Sequence, residues 1–316
     1  IRWALYCISG RMRRIMKKVL RGPDGCLRLL WRLLIYFVLH LVVAMGAQVV
    51  LPWFDPSSPW IVVSRLLFAT IYILGMLALT YFYRRKVDRK PWSGMGLPAL
   101  RRNWHFLVGG FLLCVLIFLQ FFCVDLAAGF VRIDGDEITA SGVWLSVIYA
   151  LASLIFCVGI GFGEELAFRG YIFQNLGERF PLWLVTLIDV ALFGLLHFLG
   201  RDFSAALAIL PMLFWSTLIF VVLRLSTQSL WVPIGWHTAS NWIYFSVLGT
   251  FSGGQYGDGH ALLHLTETTN HYPPWYAAWQ IFIYALLVLL LLLWSRRRGH
   301  PIDWRARLTD NGSIAN

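Results

Sequence analysis

The stretch Gly161-Phe-Gly-Glu-Glu-Leu-Ala-Phe-Arg-Gly170 sets two adjacent carboxylates, Glu164 and Glu165, and one guanidinium, Arg169, inside one of the most apolar regions of the chain. Charges at membrane depth are costly. They persist where they pair, line a wet cavity or do chemistry. The surroundings of this cluster decide the class of fold.

Those surroundings are apolar over most of the 316 residues: 59% are hydrophobic and 14% charged. A soluble domain is about half apolar and about a quarter charged. Runs near the roughly 20 residues that cross a hydrocarbon core lie at 33–54, 60–83, 104–124, 143–174, 182–200, 204–223, 230–249 and 276–294. The expected fold is all-α, a polytopic transmembrane bundle of about eight helices. The fourth run is too long for a simple crossing, and the fifth is short and holds Asp189 and His197. Pro211 and Pro233 fall within apolar runs and are expected to kink their helices. The 16 Trp and 12 Tyr suit aromatic belts at the two interfaces.

The net charge of +11 would suggest nucleic acid in a soluble protein. Here the basic residues sit at segment ends, so the expected partner is the lipid bilayer, with no nucleic acid. Loop 84–102 and the tail are basic, whereas 52–59 has no Lys or Arg and 125–142 is acidic. That alternation predicts an even number of helices with both termini cytoplasmic. Residues 1–32 read as a basic N-terminal segment, either an interfacial amphipathic helix or a solvated tail, without the apolar core of a signal peptide. Residues 33–295 read as a single membrane domain, with a motif core at about 145–250, and 296–316 as a basic cytoplasmic tail. Arg65 is expected to snorkel outward from the second span. The five cysteines have no metal-type spacing; three lie in or beside apolar runs, so disulfides are not expected and buried thiols are the default reading. His260, His264 and His271 lie in the long connection 250–275, which its glycines mark as a flexible loop more readily than a metal site.

Helical spacing separates the two glutamates. Glu165 and Arg169 are four apart on one face and can pair. Glu164 points about 100° away and lacks that partner, so it is the carboxylate left for acid–base work. Gly161, Gly163 and Gly170 allow another backbone to come close. A purely structural charge network is the alternative. Two more polar pairs at four-residue spacing stand in apolar helices: Phe193 with His197, and His237 with Asn241. A lone histidine in such a helix is more often a hydrogen-bonded core residue than a catalyst. Together with the glutamates, however, the cheapest partners for these groups in lipid are one another. A carboxylate and an imidazole can deprotonate a water, and a second histidine with an amide can donate to an oxyanion.

In order and spacing, Glu164-Glu165-x-x-x-Arg169, Phe193-x-x-x-His197 and His237-x-x-x-Asn241 resemble the three motifs of the CPBP family. These are the CAAX-protease and bacteriocin-processing intramembrane proteases, and they include the type II CAAX prenyl endopeptidases. The resemblance covers roughly residues 145–250. It implies a multi-pass endopeptidase of a cell membrane, by the family's distribution a bacterial plasma membrane, that hydrolyses a membrane-associated or lipidated peptide. Glu164 and His197 would activate water, and His237 and Asn241 would stabilise the oxyanion. Glu165, Arg169 and Phe193 would support them. No cofactor is expected. A zinc ion would take Glu164, His197 and His237 as ligands, although the HExxH helix of zinc proteases is absent. For His197 and His237 to meet, the fourth helix must be long, with Glu164 near mid-depth. Asp189, two turns before His197, could orient a motif residue. The alternatives are a non-enzymatic bacteriocin immunity or scaffold protein, and a small transporter using the same groups as a proton relay.

Overall fold

The computed structural model describes residues 27–51, 60–136, 140, 142–198, 207, 209–248, 261–269 and 272–315. Residues 1–26 of the basic segment 1–32 and the histidines His260 and His271 lie outside them. In lipid, every backbone N–H and C=O must be satisfied within the chain, so long apolar runs become helices. The described helices are α1 (Leu29–Gln48), α2 (Ile61–Phe82), α3 (Leu100–Ala127), α4 (Val143–Glu165), α5 (Phe173–Gly177), α6 (Leu182–Phe198), α7 (Leu210–Thr227), α8 (Trp231–Trp242) and α9 (Pro274–Arg297). Because α4 runs into α5 through the wider turn Leu166–Ile172, they form eight rods. Six of these are long and apolar enough to cross a membrane, and α6 is a shorter apolar helix.

The overlong fourth run is therefore one continuous rod from Val143 to Gly177, and it is the axis of the fold. From Gly161 to Gly177 every residue is buried except Glu164. Leu166, Ala167, Phe168 and Tyr171 have no exposed surface at all. On the rim, α1, α3 and α9 turn Leu34, Leu116 and Leu290 outward, as lipid-facing helices do. Inner helices approach each other across glycines. A Cβ on Gly110 of α3 would stand 2.0 Å from the Val232 carbonyl oxygen of α8, and one on Gly235 would stand 2.0 Å from that of Leu107. Two backbones in contact leave no side chain to yield. Gly235→Val is thus expected to cost more than the ~1–3 kcal/mol of ordinary overpacking, with loss of the monodisperse peak in detergent gel filtration.

One end of the bundle is fastened by the chain after α9. Leu182 N–H donates to Ala306 O and Trp183 N–H to Trp304 O, which satisfies the free amides at the start of α6. Leu308 N–H donates to Gly177 O at the end of α5, and the Leu308 side chain is buried there. Arg84 ion-pairs with Glu178 at 2.9 Å and donates to Asp310 O at 2.7 Å. At the same end, Arg32 of α1 pairs with Asp88 at 2.6 Å. The start of α1 and the tail thus share one end of the bundle.

Three details differ from the sequence reading. Pro211 and Pro233 are the second and third residues of α7 and α8, so they lie in first turns, where an N–H is unpaired anyway, rather than at mid-helix kinks. Arg65 is buried, its guanidinium 5.4 Å from the Phe156 ring centre, so a cation–π contact replaces snorkelling. Part of each supposed loop is a strand: β1 (Val131–Asp136) pairs antiparallel with β2 (Leu263–Glu267). The glycines that suggested a loop, Gly253, Gly254, Gly257 and Gly259, lie outside the described residues, and the strand occupies the stretch after them. His264 lies on β2, opposite Gly135.

Candidate active site

The site begins where α4 meets α8. Gly161 faces α8: a Cβ there would be 2.9 Å from the Thr238 hydroxyl oxygen and 3.1 Å from the Thr238 amide nitrogen. Glu165 lies one turn further on the same face and meets His237, the neighbour of Thr238. His237 Nδ1–H donates to Glu165 Oε1 at 2.9 Å. The same Glu165 oxygen accepts from Arg169 at 3.1 Å. On its other side Arg169 ion-pairs with Asp189 of α6, Nε to Oδ2 at 3.1 Å. None of these three charged side chains has exposed surface. His237, Glu165, Arg169 and Asp189 thus form one buried chain across α8, α4 and α6. Asp189, whose place was ambiguous in sequence, ends it.

Aromatic rings enclose the guanidinium. Its carbon is 4.3 Å from the Phe193 ring centre and 4.8 Å from that of Phe220, distances at which a cation gains from the π face. Phe220 also stacks on His237 at 5.0 Å with an interplanar angle of 18°. Phe193 lies 4.5 Å from the His197 ring and 6.1 Å from the His237 ring, so one phenyl ring touches both motif histidines.

Glu164 stands apart from this chain. Its side chain is 17% exposed, and His237 Nε2 is 3.8 Å from Glu164 Oε2, beyond hydrogen-bond range. Glu164 Oε2 is itself buried without a hydrogen-bond partner. Immediately after the pair, the helix widens over Leu166–Ile172, with Phe173 N–H bonded to Phe168 O, five residues back. Such turns recur at functional sites because they rotate the following side chains.

His197 lies near the end of α6, partly exposed. Its Nδ1 is 2.8 Å from Phe193 O. A carbonyl only accepts, so Nδ1 carries the proton and Nε2 keeps a lone pair. Asn241 is one turn beyond His237 on α8 and partly exposed. Glu164, Glu165, Arg169, Phe193 and His237 therefore come together around one point, with His197 against the Phe193 edge.

Residues 144–243 match the Rce1-like family of type II CAAX prenyl endopeptidases. No curated protein and no solved structure matches the chain. The Rce1-like segment starts one residue into α4 and ends one residue past α8. It holds every residue of the three motifs and leaves α1, α2, α3 and α9 outside.

Among the described residues no three His, Cys, Asp or Glu side chains are placed to hold a metal ion. Phe220 went unread in sequence because it is one apolar residue in the apolar run Leu218–Leu223. Only tertiary packing picks it out.

Proposed function

We propose that the Rce1-like segment is an intramembrane endopeptidase that hydrolyses a peptide bond of a membrane-associated or lipidated substrate. The observation that carries this reading is the contrast between the adjacent glutamates. Glu165 is bound into a buried ionic chain, and Glu164 is the one partly open residue of a seventeen-residue buried run, its oxygen unpaired.

The chemistry follows from these groups. Glu164, with the Nε2 lone pair of His197, takes a proton from a water, whose oxygen bonds to the peptide carbonyl carbon. The carbonyl π bond breaks and its electrons pass to oxygen. Asn241 Nδ2–H and His237 Nε2–H donate to that oxyanion. Because His237 gives its Nδ1–H to Glu165, it donates from Nε2 only as the doubly protonated ring, with Glu165 as its countercharge once Glu164 holds the proton of the water. Collapse of the intermediate breaks the C–N bond, and the proton held by Glu164 passes to the leaving amine. Arg169 and Asp189 act through Glu165, which fixes the plane of the His237 ring.

The test incubates the purified protein, reconstituted in lipid, with a membrane proteome, in parallel with Glu164→Gln. New peptide termini released by wild type alone support the reading and report the substrate class. Equal release from both, or none from either, overturns it.

A further inference from the structure

The side of α4 turned away from α8 meets α2, which is bonded in turn to α1, and both lie outside the Rce1-like segment. On α4, Gly161 faces α8, whereas Gly163, about 200° around the helix, faces α2. A Cβ on Gly163 would stand 2.5 Å from Tyr72 Cε1 and 2.6 Å from Cζ, the carbon that bears the hydroxyl. Tyr72 therefore presses on the backbone of the residue next to Glu164. Its hydroxyl is held from α1: His40 Nε2 lies 2.8 Å from the Tyr72 oxygen. Both side chains are buried, and His40 Nδ1 has no hydrogen-bond partner. The His40 ring meets Phe168 edge-on at 5.7 Å, and Phe168 meets Phe193 in the same way at 5.2 Å.

A His–Tyr pair is an expensive way to fill the space between two apolar helices, because phenylalanine and leucine would pack there with no polar atom to satisfy. We propose that His40 and Tyr72 are positioning residues of the site, with Tyr72, locked by His40, fixing the backbone at Gly163 and so the direction in which Glu164 projects. The inference rests on the peptidase reading and adds two residues that lie outside all three motifs.

The experiment uses the full chain in lipid nanodiscs and a fluorogenic farnesylated CAAX-type peptide. Tyr72→Phe removes one oxygen and keeps the ring. His40→Leu removes the bond to it. His40→Gln keeps an amide nitrogen where Nε2 stands. Tyr72→Phe and His40→Leu are expected to lower kcat by about 10- to 100-fold, the scale of a small misplacement of a reacting group, with KM within about 2-fold. His40→Gln is expected to recover most of the loss. Wild-type kcat in Tyr72→Phe overturns the inference, as does a loss seen only where the melting temperature also falls.

Failure of the peptidase reading looks different, since wild type then leaves the peptide intact. The inference is in that case read by infrared spectroscopy of protein labelled with 13C in its glutamate carboxylates. The band missing from Glu164→Gln marks Glu164. A shift of that band in Tyr72→Phe supports the coupling, and an unmoved band overturns it.

Discussion

Glu164→Gln is expected to reduce peptide release by roughly 10²–10⁴-fold, the range a general base contributes, with the melting temperature unchanged. The amide has the same shape as the carboxylate and cannot take the proton of the attacking water. Little structure depends on the charge: Glu164 makes no hydrogen bond through Oε2, and His237 Nε2 stays at 3.8 Å. Glu165→Gln, one residue on, should behave differently. Its Oε1 holds both Arg169 and His237, so that change loosens the His237 ring and lowers the melting temperature along with activity. The two adjacent substitutions, assayed side by side by peptide release and thermal unfolding, separate catalysis from architecture. Equal melting losses in both would show that the carboxylates share one structural role.

The second large effect concerns stability. Arg169→Met is expected to destabilise the protein by about 3–5 kcal/mol, the cost of leaving buried charges uncompensated. The variant strands Glu165 and Asp189, two fully buried carboxylates that the guanidinium bridges at 3.1 Å each. It also empties the space between Phe193 and Phe220 of its cation. The neutralised triple variant, Arg169→Met with Glu165→Gln and Asp189→Asn, is expected to regain most of that loss, because no unpaired charge remains. It should stay inactive, since the orientation of His237 depends on the Glu165 charge. Thermal unfolding of the single and triple variants in the same lipid measures the difference. A triple variant no more stable than the single one would place the cost in packing rather than charge.

Much of the fold could be read along the chain. The apolar runs mark eight rods, with ends that differ by up to seven residues, since length and hydropathy are local properties and lipid favours helices for such segments. The Glu165–Arg169 pair was legible for the same kind of reason, because four-residue spacing on a helix is local geometry. The errors arose where a distant partner overrides local preference. Arg65 turns inward because Phe156, on another helix, offers a ring face. Residues 263–267 form a strand because residues 131–136 lie beside them. The order of the tail after α9 depends on amides at the start of α6 that only folding brings near.

The candidate site divides along the same line. The sequence by itself determined which residues are polar in apolar helices, which face each takes, and that Glu164 differs from Glu165, because periodicity assigns faces without knowledge of neighbours. Only the tertiary structure decided that His237 binds Glu165 rather than Glu164, that Asp189 ends the ionic chain through Arg169, and that Tyr72, bonded to His40, stands at Gly163. Those outcomes depend on which helices touch, and helix contact is set by glycine-lined crossings such as Gly161 with Thr238 and Gly235 with Leu107, whose partners lie about 75 or more residues away in the chain.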